Sequence, residues 1–427
     1  MNLFRKFRNK EIKNIGWLVG GKIIQMLLSL VVGVLTARYL GPGNYGLVNY
    51  GAAYVGFFSS LCTLGINNVI VKDFIDHPDE QGITIGSTLV ARALSSFLSA
   101  IMIIAVVSIV DRNESVTIAV VALCSIALIF QVMDTFNYWF QAQYKSKVTA
   151  IAVLFAYIVT AVYRIMLLLT GANVKWFAFA SSIDYILLGL FLLIFYKKYN
   201  GPPLKFSWIK IKTLLSSSYH YILSGMMVAI YGQTDKMMLK QMMDEAHVGF
   251  YSTASTLCSM WVFILTAIID SINPTIMRLY NTDYKQYERK NRQLYAIVFY
   301  VSVFVSFMFL IFGDFAISIL YGPEYAPAGL PLKIITWYTA FSYLGVSRNA
   351  WIVCERKQKY LKYMYLSAAI INIFLNLILI PVLGAAGAAL ASLITQLCTS
   401  MILPLFIKGM RRNTMLMIQA IMLKGIK

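Results

Sequence analysis

The chain has 427 residues, of which 59% are hydrophobic and only 13% are charged. This composition excludes an intrinsically disordered chain, and it is too apolar for an ordinary soluble enzyme of this length. The formal net charge of +19 is spread over short segments between apolar runs, which favours contact with anionic lipid headgroups over binding to nucleic acid.

Twelve apolar runs follow one another along the chain, and each is about long enough to cross a bilayer as a helix. Basic residues gather at the two termini and at every second connection, so the positive-inside bias predicts that both termini are cytoplasmic. The connections are short, which leaves no room for a soluble catalytic domain. In chain order the predicted spans are 14–37, 44–66, 83–110, 116–140, 148–170, 174–196, 214–239, 247–277, 293–320, 329–353, 363–382 and 386–407.

The pattern of spans and turns repeats after six predicted helices. Gly46 in the first half corresponds to Gly249 in the second at an offset of 203 residues, and Lys145 corresponds to Lys357 at an offset of 212. Similar echoes in the same order indicate an internal duplication. The alternative is that short Gly and Ser coincidences arise in the turns of any helical membrane protein.

The duplication predicts two six-helix halves that enter the membrane from the same side. Two parallel halves of this kind would enclose a cleft, the geometry that alternating access requires. The predicted divisions are an N-terminal lobe at 1–196, a cytoplasmic linker at 197–213, a C-terminal lobe at 214–407 and a cytoplasmic tail at 408–427.

Basic residues within or near the spans are the first candidates for a binding site. A Lys or Arg at the bilayer centre costs roughly 2.5–3.5 kcal/mol on insertion, so such residues usually face a cavity or a partner. Snorkelling explains those near span ends equally well. A cavity richer in cations than in anions suits an anionic passenger, because Arg and Lys both bind phosphate oxygens. The candidates are Lys22, Arg38, Arg92, Arg164, Lys236 and Arg348.

Acidic residues within the spans are candidates for a coupling ion. An intramembrane carboxylate either forms half of a structural ion pair or carries a proton or cation, and the sequence alone leaves both open. Asp235 and Lys236 are adjacent, but successive helical residues point about 100° apart, so they need not pair with each other. The candidates are Asp134, Asp184, Asp235 and Asp270.

No catalytic or metal-binding motif is found in the chain. The five cysteines form no CxxC pair, and the three histidines are isolated from one another. Residues 16–22 match the first part of the phosphate-binding pattern GxxxxGK, but Ile23 stands where Ser or Thr is required. The sequence therefore predicts no enzyme, no bound cofactor and no resident metal, apart from a coupling ion that could be Na⁺ or H⁺.

Several stretches resemble a known family in their order along the chain. The longest begins with LYGPEYAPAGLPLKIITW at 320–337 and continues through NAWIVCERKQKY and INIFLNLILIPVLGAAGAALASLITQL. Others are ARYLGPGNYGLVNY at 37–50, MDTFNYWFQAQYK at 133–145 and GQTDKMMLKQMM at 232–243. Together they are similar, over nearly the whole chain, to Wzx-type bacterial polysaccharide flippases. These belong to the multidrug/oligosaccharidyl-lipid/polysaccharide (MOP) exporter superfamily.

This resemblance implies an all-α integral membrane protein with twelve helices in two six-helix lobes, like the multidrug (MATE) exporters. It also implies a function, which is to move an undecaprenyl-pyrophosphate-linked oligosaccharide from the cytoplasmic to the outer leaflet of the bacterial cell membrane. Partners would be this substrate, membrane lipids, and a polysaccharide polymerase and chain-length regulator. Asp235 and Lys236 match the acidic-basic pair of the family's seventh helix, where Arg is commoner. Lys at this position lacks the bidentate fork of Arg.

The expected mechanism is rocking of the two lobes, with the pyrophosphate-sugar head in a cationic cleft and the polyprenyl tail in lipid. Lys22, Arg92, Arg164 and Arg348 are the principal candidates for attracting the head group. The main alternative is a cation-coupled multidrug exporter, which should favour acidic cleft residues. A membrane-embedded glycosyltransferase would require a sizeable outward loop, and a purely structural protein would not retain costly buried charges.

Overall fold

The computed structural model describes the backbone of residues 2–426 and the side chains of residues 25–67 and 69–426. Within residues 2–426 all regular structure is helical, and no strand occurs. The first eight α-helices are α1 Asn2–Thr63, α2 Asn67–Asp76, α3 Gln81–Val110, α4 Ser115–Gln131, α5 Asp134–Ala142, α6 Ser146–Thr170, α7 Val174–Lys198 and α8 Trp208–Met242.

In the described backbone, one π-helical turn and three 3₁₀ turns lie between some of the α-helices. A π-helical turn at Cys398–Ile402 and 3₁₀ turns at Pro78–Glu80, Pro323–Ala328 and Gln358–Tyr360 complete the regular structure. The α-helices are α9 Glu245–Thr282, α10 Tyr284–Tyr321, α11 Gly329–Ser347, α12 Asn349–Cys354, α13 Leu361–Leu383, α14 Ala385–Leu397, α15 Leu403–Phe406 and α16 Arg411–Ile421.

Nine helical segments among the described residues are long and apolar enough to cross a membrane. Each of the twelve predicted runs falls mostly on helix; the run 14–37 lies within α1, and the run 44–66 begins in α1 and extends three residues past its end at Thr63. Helix α1 is kinked at Gly41, which has φ 68° and is followed by Pro42. The all-helical membrane class that the sequence predicts is therefore confirmed.

The helices expose many of their large apolar side chains and bury many small or polar ones. On α3, Phe97 and Leu98 are each 59% exposed, whereas Ser96 and Ser99 are buried. This arrangement would be unstable in water, because it leaves large apolar surfaces solvated. It is stable in a bilayer, where lipid covers the apolar side chains and small residues let helix backbones approach closely. The exposed faces of α3 therefore indicate lipid contact.

The chain divides into two compact units. The first comprises Met1–Leu40 and Leu47–Ala229, and the second comprises Gly41–Gly46 and Ile230–Lys427. The division passes through α8, so the segment 197–213 lies within the first unit. The short segment Gly41–Gly46, from the kink of α1, belongs to the second unit.

In the first unit, an extended strap of residues 199–207 joins α7 to α8 and lies along the start of α3. The amide of Lys205 donates a hydrogen bond of 3.1 Å to the carbonyl of Gly82. A Cβ atom at Gly82 would approach the Pro203 carbonyl oxygen to 2.2 Å, and one at Gly86 would approach that of Lys205 equally closely. The strap therefore requires glycine at both positions of α3.

In the second unit, the C-terminal segment is folded onto α10. Asn413 of α16 donates a hydrogen bond of 2.6 Å to the hydroxyl of Tyr295, and Arg412 pairs with Glu288 at 2.7 Å. Met417 is fully buried in the same core. The segment predicted as a tail at 408–427 therefore contains a packed helix.

Two cytoplasmic turns, by the predicted topology, have the same backbone conformation. Tyr144 and Arg356, 212 residues apart, both adopt the left-handed conformation, with φ values of 55° and 54°. The amide of Lys145 bonds the carbonyl of Phe140 at 2.9 Å, and Lys357 bonds Ile352 at the same distance. The offset noted between Lys145 and Lys357 in the sequence thus corresponds to a repeated local structure.

Candidate functional site

The second unit contains a buried carboxylate surrounded by four hydrogen-bond donors. Asp235 of α8 is only 3% exposed. Its Oδ1 atom accepts from the amide groups of Asn372 at 3.1 Å and Asn376 at 2.7 Å. Its Oδ2 atom accepts from the hydroxyls of Tyr251 at 2.5 Å and Ser392 at 2.6 Å. All four partners donate, so both oxygen atoms of the carboxylate are fully hydrogen-bonded to neutral side chains.

Three helices supply these donors. Asn372 and Asn376 are four residues apart on α13 and share one face, Ser392 lies on α14, and Tyr251 lies on α9. Ser and Asn side chains in membrane helices commonly form hydrogen bonds across helix interfaces. The site is therefore assembled from segments of the chain that lie up to 157 residues apart.

The buried negative charge of Asp235 has no basic partner among the described side chains, where every ion pair within 4.0 Å involves another carboxylate. Its chain neighbour Lys236 is half-buried and interacts with it electrostatically, but the two do not approach within the 4.0 Å of an ion pair. Two buried oxygen atoms on the helices that supply these donors, Asn376 Oδ1 on α13 and Thr395 Oγ1 on α14, also lack a hydrogen-bond partner in the described structure. A buried carboxylate without a close ion pair is costly, so this site is suited to a small monovalent cation.

The chemistry of the side chains fits such a cation. Asn side chains carry both a donor and an acceptor, so a half-turn of the amide presents the carbonyl oxygen in place of the NH₂ group. A serine hydroxyl can also turn its lone pairs toward a cation. No group of three His, Cys, Asp or Glu side chains that could hold a metal occurs in the described part of the chain. The donor set favours a singly charged hard cation over a transition metal.

In the first unit, Arg92 is held at the break between α4 and α5. Its guanidinium donates to the hydroxyl of Thr135 and to the carbonyl of Gln131, both at 3.1 Å, and only 1% of the residue is exposed. Gln131 ends α4 and Asp134 begins α5. A cation at a helix C-terminus satisfies orphan carbonyls and interacts favourably with the helix dipole. In this conformation Arg92 therefore stabilises the broken helix.

Asp184, a predicted coupling residue of the first unit, lies near Thr160 of α6. The Thr160 hydroxyl donates to Oδ1 of Asp184 at a long distance of 3.4 Å. Arg164 lies one turn further along α6 and is half-buried, like Asp184 and Asp134. These groups form a looser polar network than the one around Asp235.

Arg348 is the buried cation of the second unit. It is 3% exposed, and its guanidinium donates to the carbonyl of Ser400, at 3.4 Å, in the π-helical turn. Its Nε atom has no hydrogen-bond partner in the described structure. A π-turn frees backbone carbonyls from the regular helical ladder and is frequent at functional sites. Arg348 and Asp235 are thus both buried charges, each held by neutral groups.

The remaining sequence candidates are more exposed or lie outside the description. Arg38 and Asp270 are exposed. The side chain of Lys22 lies outside the described residues. Arg92 and Arg164 belong to the first unit and Arg348 to the second, and each has its own set of neighbours.

Sequence reasoning identified Asp235 but missed its four partners. The signal was present, because Asn372 and Asn376 stand at i and i+4 in the apolar run INIFLNLIL, where polar side chains are costly unless they are paired. Ser392 and Tyr251 carried no comparable signal, because Ser and Tyr are common in membrane helices and at their ends.

Comparison with solved structures identifies the fold of this chain. The fold matches a lipid II flippase, MurJ, in an inward closed conformation, with a TM-score of 0.73, 13% identity, and coverage of 95% of this chain and 91% of that one. It also matches an inward-facing MATE-family multidrug transporter of the MOP superfamily, with a TM-score of 0.69, 13% identity, and coverage of 92% and 95%. These likenesses show that the chain has the MOP transporter fold.

The family follows from the sequence comparison. Residues 12–280 match the family described as polysaccharide biosynthesis protein, and the chain belongs to it. A capsular polysaccharide biosynthesis protein of Staphylococcus aureus, CapF, is 20% identical over 399 residues, which cover 90% of this chain and 96% of that protein. The resemblance to Wzx-type flippases is therefore confirmed, and the chain is a multi-pass protein of the bacterial cell membrane.

Proposed function

We propose that this protein is a flippase that moves an undecaprenyl-pyrophosphate-linked oligosaccharide from the cytoplasmic to the outer leaflet during surface polysaccharide synthesis. The observation that carries the proposal is the family match over residues 12–280 in a chain with the MOP transporter fold. One solved structure with this fold is a lipid II flippase, and one relative is a capsular polysaccharide biosynthesis protein. Both names support a lipid-linked sugar as the substrate of this protein.

The chain would cross the membrane twelve times, with both termini in the cytoplasm and two six-helix lobes that rock about the substrate. The basic candidates Lys22, Arg92, Arg164 and Arg348 would attract the pyrophosphate, with Lys236 and Arg38 as further contacts. The excess of cations in the spans supports an anionic head group. A polymerase and a chain-length regulator are the expected partners. No covalent chemistry is required, because the task is to carry a charged, hydrated head through hydrocarbon.

Asp235 is the proposed coupling site. A buried carboxylate that forms no close ion pair can attract a cation, which could be Na⁺ or H⁺. The oxygen atoms that would hold Na⁺ belong to Asp235, Asn372, Asn376, Ser392 and Thr395. A bound cation would supply the charge that the described side chains do not supply. Asp134, Asp184 and Asp270 remain less favoured candidates, because none has a comparable set of donors.

The test is transport of a defined lipid-linked oligosaccharide in proteoliposomes, with Na⁺ and pH gradients imposed separately. Wild-type protein should respond to one of the two gradients, and Asp235→Asn should lose at least about tenfold of the gradient-driven rate, equivalent to 1.4 kcal/mol. Asp79→Asn is the matched control, because that carboxylate is exposed and lies outside the predicted spans. The flippase proposal would be refuted if the wild-type protein transported none of the lipid-linked sugars supplied.

The second candidate function is a cation-coupled multidrug exporter, which the likeness to MATE transporters favours. It would accept cationic drugs in the same assay and would ignore lipid-linked sugars. The basic character of the spans and the polysaccharide family match both argue against it.

A further inference from the structure

The hydrogen bonds around Asp235 leave no lone pair of its carboxylate free. A carboxylate offers about four lone-pair positions, and four side chains occupy them here, two on each oxygen. A cation that binds this carboxylate must therefore displace at least one donor. The donor that is displaced determines which helix responds to cation binding.

The four donors differ in what they can offer in exchange. Asn372 and Asn376 can turn their amides and present carbonyl oxygens to the cation, and Ser392 can turn its hydroxyl. Helices α13 and α14 therefore remain attached to the occupied site. Tyr251 is a poorer ligand, because its oxygen lone pairs are delocalised into the ring. Among the described residues it is also the only one on α9 that bonds Asp235. Helix α9 is therefore the element that a cation releases.

The beginning of α9 lies in a contact that tolerates very little displacement. Gly249, two residues before Tyr251, would place an added Cβ atom 2.2 Å from the Pro42 carbonyl oxygen. Gly46 would place one only 1.8 Å from the Glu245 carbonyl oxygen. All of these residues belong to the second unit. The contact is symmetric, because each glycine faces the carbonyl of the residue four positions before the other glycine. The two segments are 203 residues apart in the sequence.

We propose that Tyr251 is the positioning residue through which occupation of Asp235 acts on the close contact between the first turn of α9 and residues 42–46. With Asp235 free, the Tyr251 hydroxyl fixes the rotation of α9, and the two glycines face the opposing carbonyls. With a cation bound, this hydrogen bond is lost and the first turn loosens. The inference rests on the proposed coupling site, which it extends from α8, α13 and α14 to α9.

The experiment measures two properties of the purified full-length protein, in Na⁺ and in choline at equal ionic strength. Thermal stabilisation by Na⁺ reports binding. Hydrogen exchange of the backbone amides at 249–254 reports the state of α9. In wild-type protein, Na⁺ should stabilise the fold and accelerate this exchange about fivefold or more, as a typical coupling would.

Three variants separate the possibilities. Tyr251→Phe should keep the stabilisation by Na⁺ but exchange rapidly in both salts. Asp235→Asn should lose both effects of Na⁺. Ser252→Ala removes a neighbouring buried hydroxyl that has no hydrogen-bond partner in the described structure, and it should behave like wild type.

Each contrary outcome has a distinct meaning. A Tyr251→Phe protein that still shows Na⁺-dependent exchange at 249–254 would overturn the role of Tyr251 and leave the coupling site standing. Wild-type protein in which neither property responds to Na⁺ would overturn the Na⁺ site and the inference together. In neither case is the flippase function itself refuted.

Discussion

At the scale of single residues, the buried charges of this protein are held in two different ways. Lys210 lies outside the spans, and its ammonium contacts Asp73 at 2.9 Å and Glu80 at 3.0 Å, both in the first unit. Asp235 lies within the membrane helices and is held by neutral donors. A paired charge is already compensated, whereas an unpaired one can still attract a mobile ion. Lys210 is therefore structural, and Asp235 is the candidate for function.

Lys210→Met should lower the free energy of unfolding by about 1–2 kcal/mol, because it leaves two neighbouring carboxylates unpaired and one of them, Glu80, is half exposed. Thermal unfolding in detergent measures the loss. Lys212→Met is the control, since Lys212 lies two residues further along α8, on the opposite side of the helix, and is exposed. Equal midpoints for the two variants would contradict the structural role of the Lys210 clamp.

The pH dependence of this clamp has a definite sign. Burial alone would lower the pKa of Lys210, but the hydrogen bonds and charges of Asp73 and Glu80 outweigh it and raise the pKa above its usual value. The contribution of Lys210 to stability is therefore fully present below the unfolded pKa of about 10.4. It is lost as the pH rises through the higher pKa of the folded state.

At the scale of elements, small residues determine which segments can lie against a helix. In α3, Gly82 and Gly86 are four residues apart and share one face, where they accept an extended strap in place of a second helix. The amide of Ser207, at the end of this strap, donates to the hydroxyl of Ser87 at 2.9 Å. The sequence predicted a linker here, but its attachment to α3 depends on contacts more than 100 residues apart.

Gly82→Ala or Gly86→Ala should detach the strap, because each new methyl group would overlap a backbone carbonyl that has little freedom to move. Hydrogen exchange of residues 199–207 should rise, and stability should fall by about 1–3 kcal/mol. Gly232→Ala provides the control, because an added Cβ atom there meets nothing within 4 Å. A strap that stays equally protected in all three variants would show that the two glycines are not required.

At the scale of the whole molecule, the apolar runs predict the helices, and the predicted duplication matches a repeated local structure at one pair of turns. Each predicted run is mostly helical in the structure, and the turns at Tyr144 and Arg356 share one conformation. The division between the two compact units could not be placed from the sequence. It falls within α8 because this helix contributes contacts at both ends, with Lys210 in the first unit and Asp235 in the second.

The predicted topology can be tested by labelling single cysteines with a membrane-impermeant maleimide in intact cells. In a cysteine-free background, Ser115→Cys should be labelled from outside, and Lys359→Cys only after permeabilisation, because the positive-inside bias places its basic turn in the cytoplasm. Both positions are exposed. The reverse labelling pattern would invert the topology and would place the proposed cytoplasmic linker outside the cell.

The sequence by itself determined that this is a helical membrane protein, where its apolar runs lie, and which charges are costly to bury. These properties follow from local composition, since a bilayer requires continuous apolar helices and penalises each charge separately. Only the tertiary structure decided that Asp235 is surrounded by Tyr251, Asn372, Asn376 and Ser392. The reason is that these partners come from three other helices, and the rotation of each helix about its axis is set by packing rather than by its own sequence.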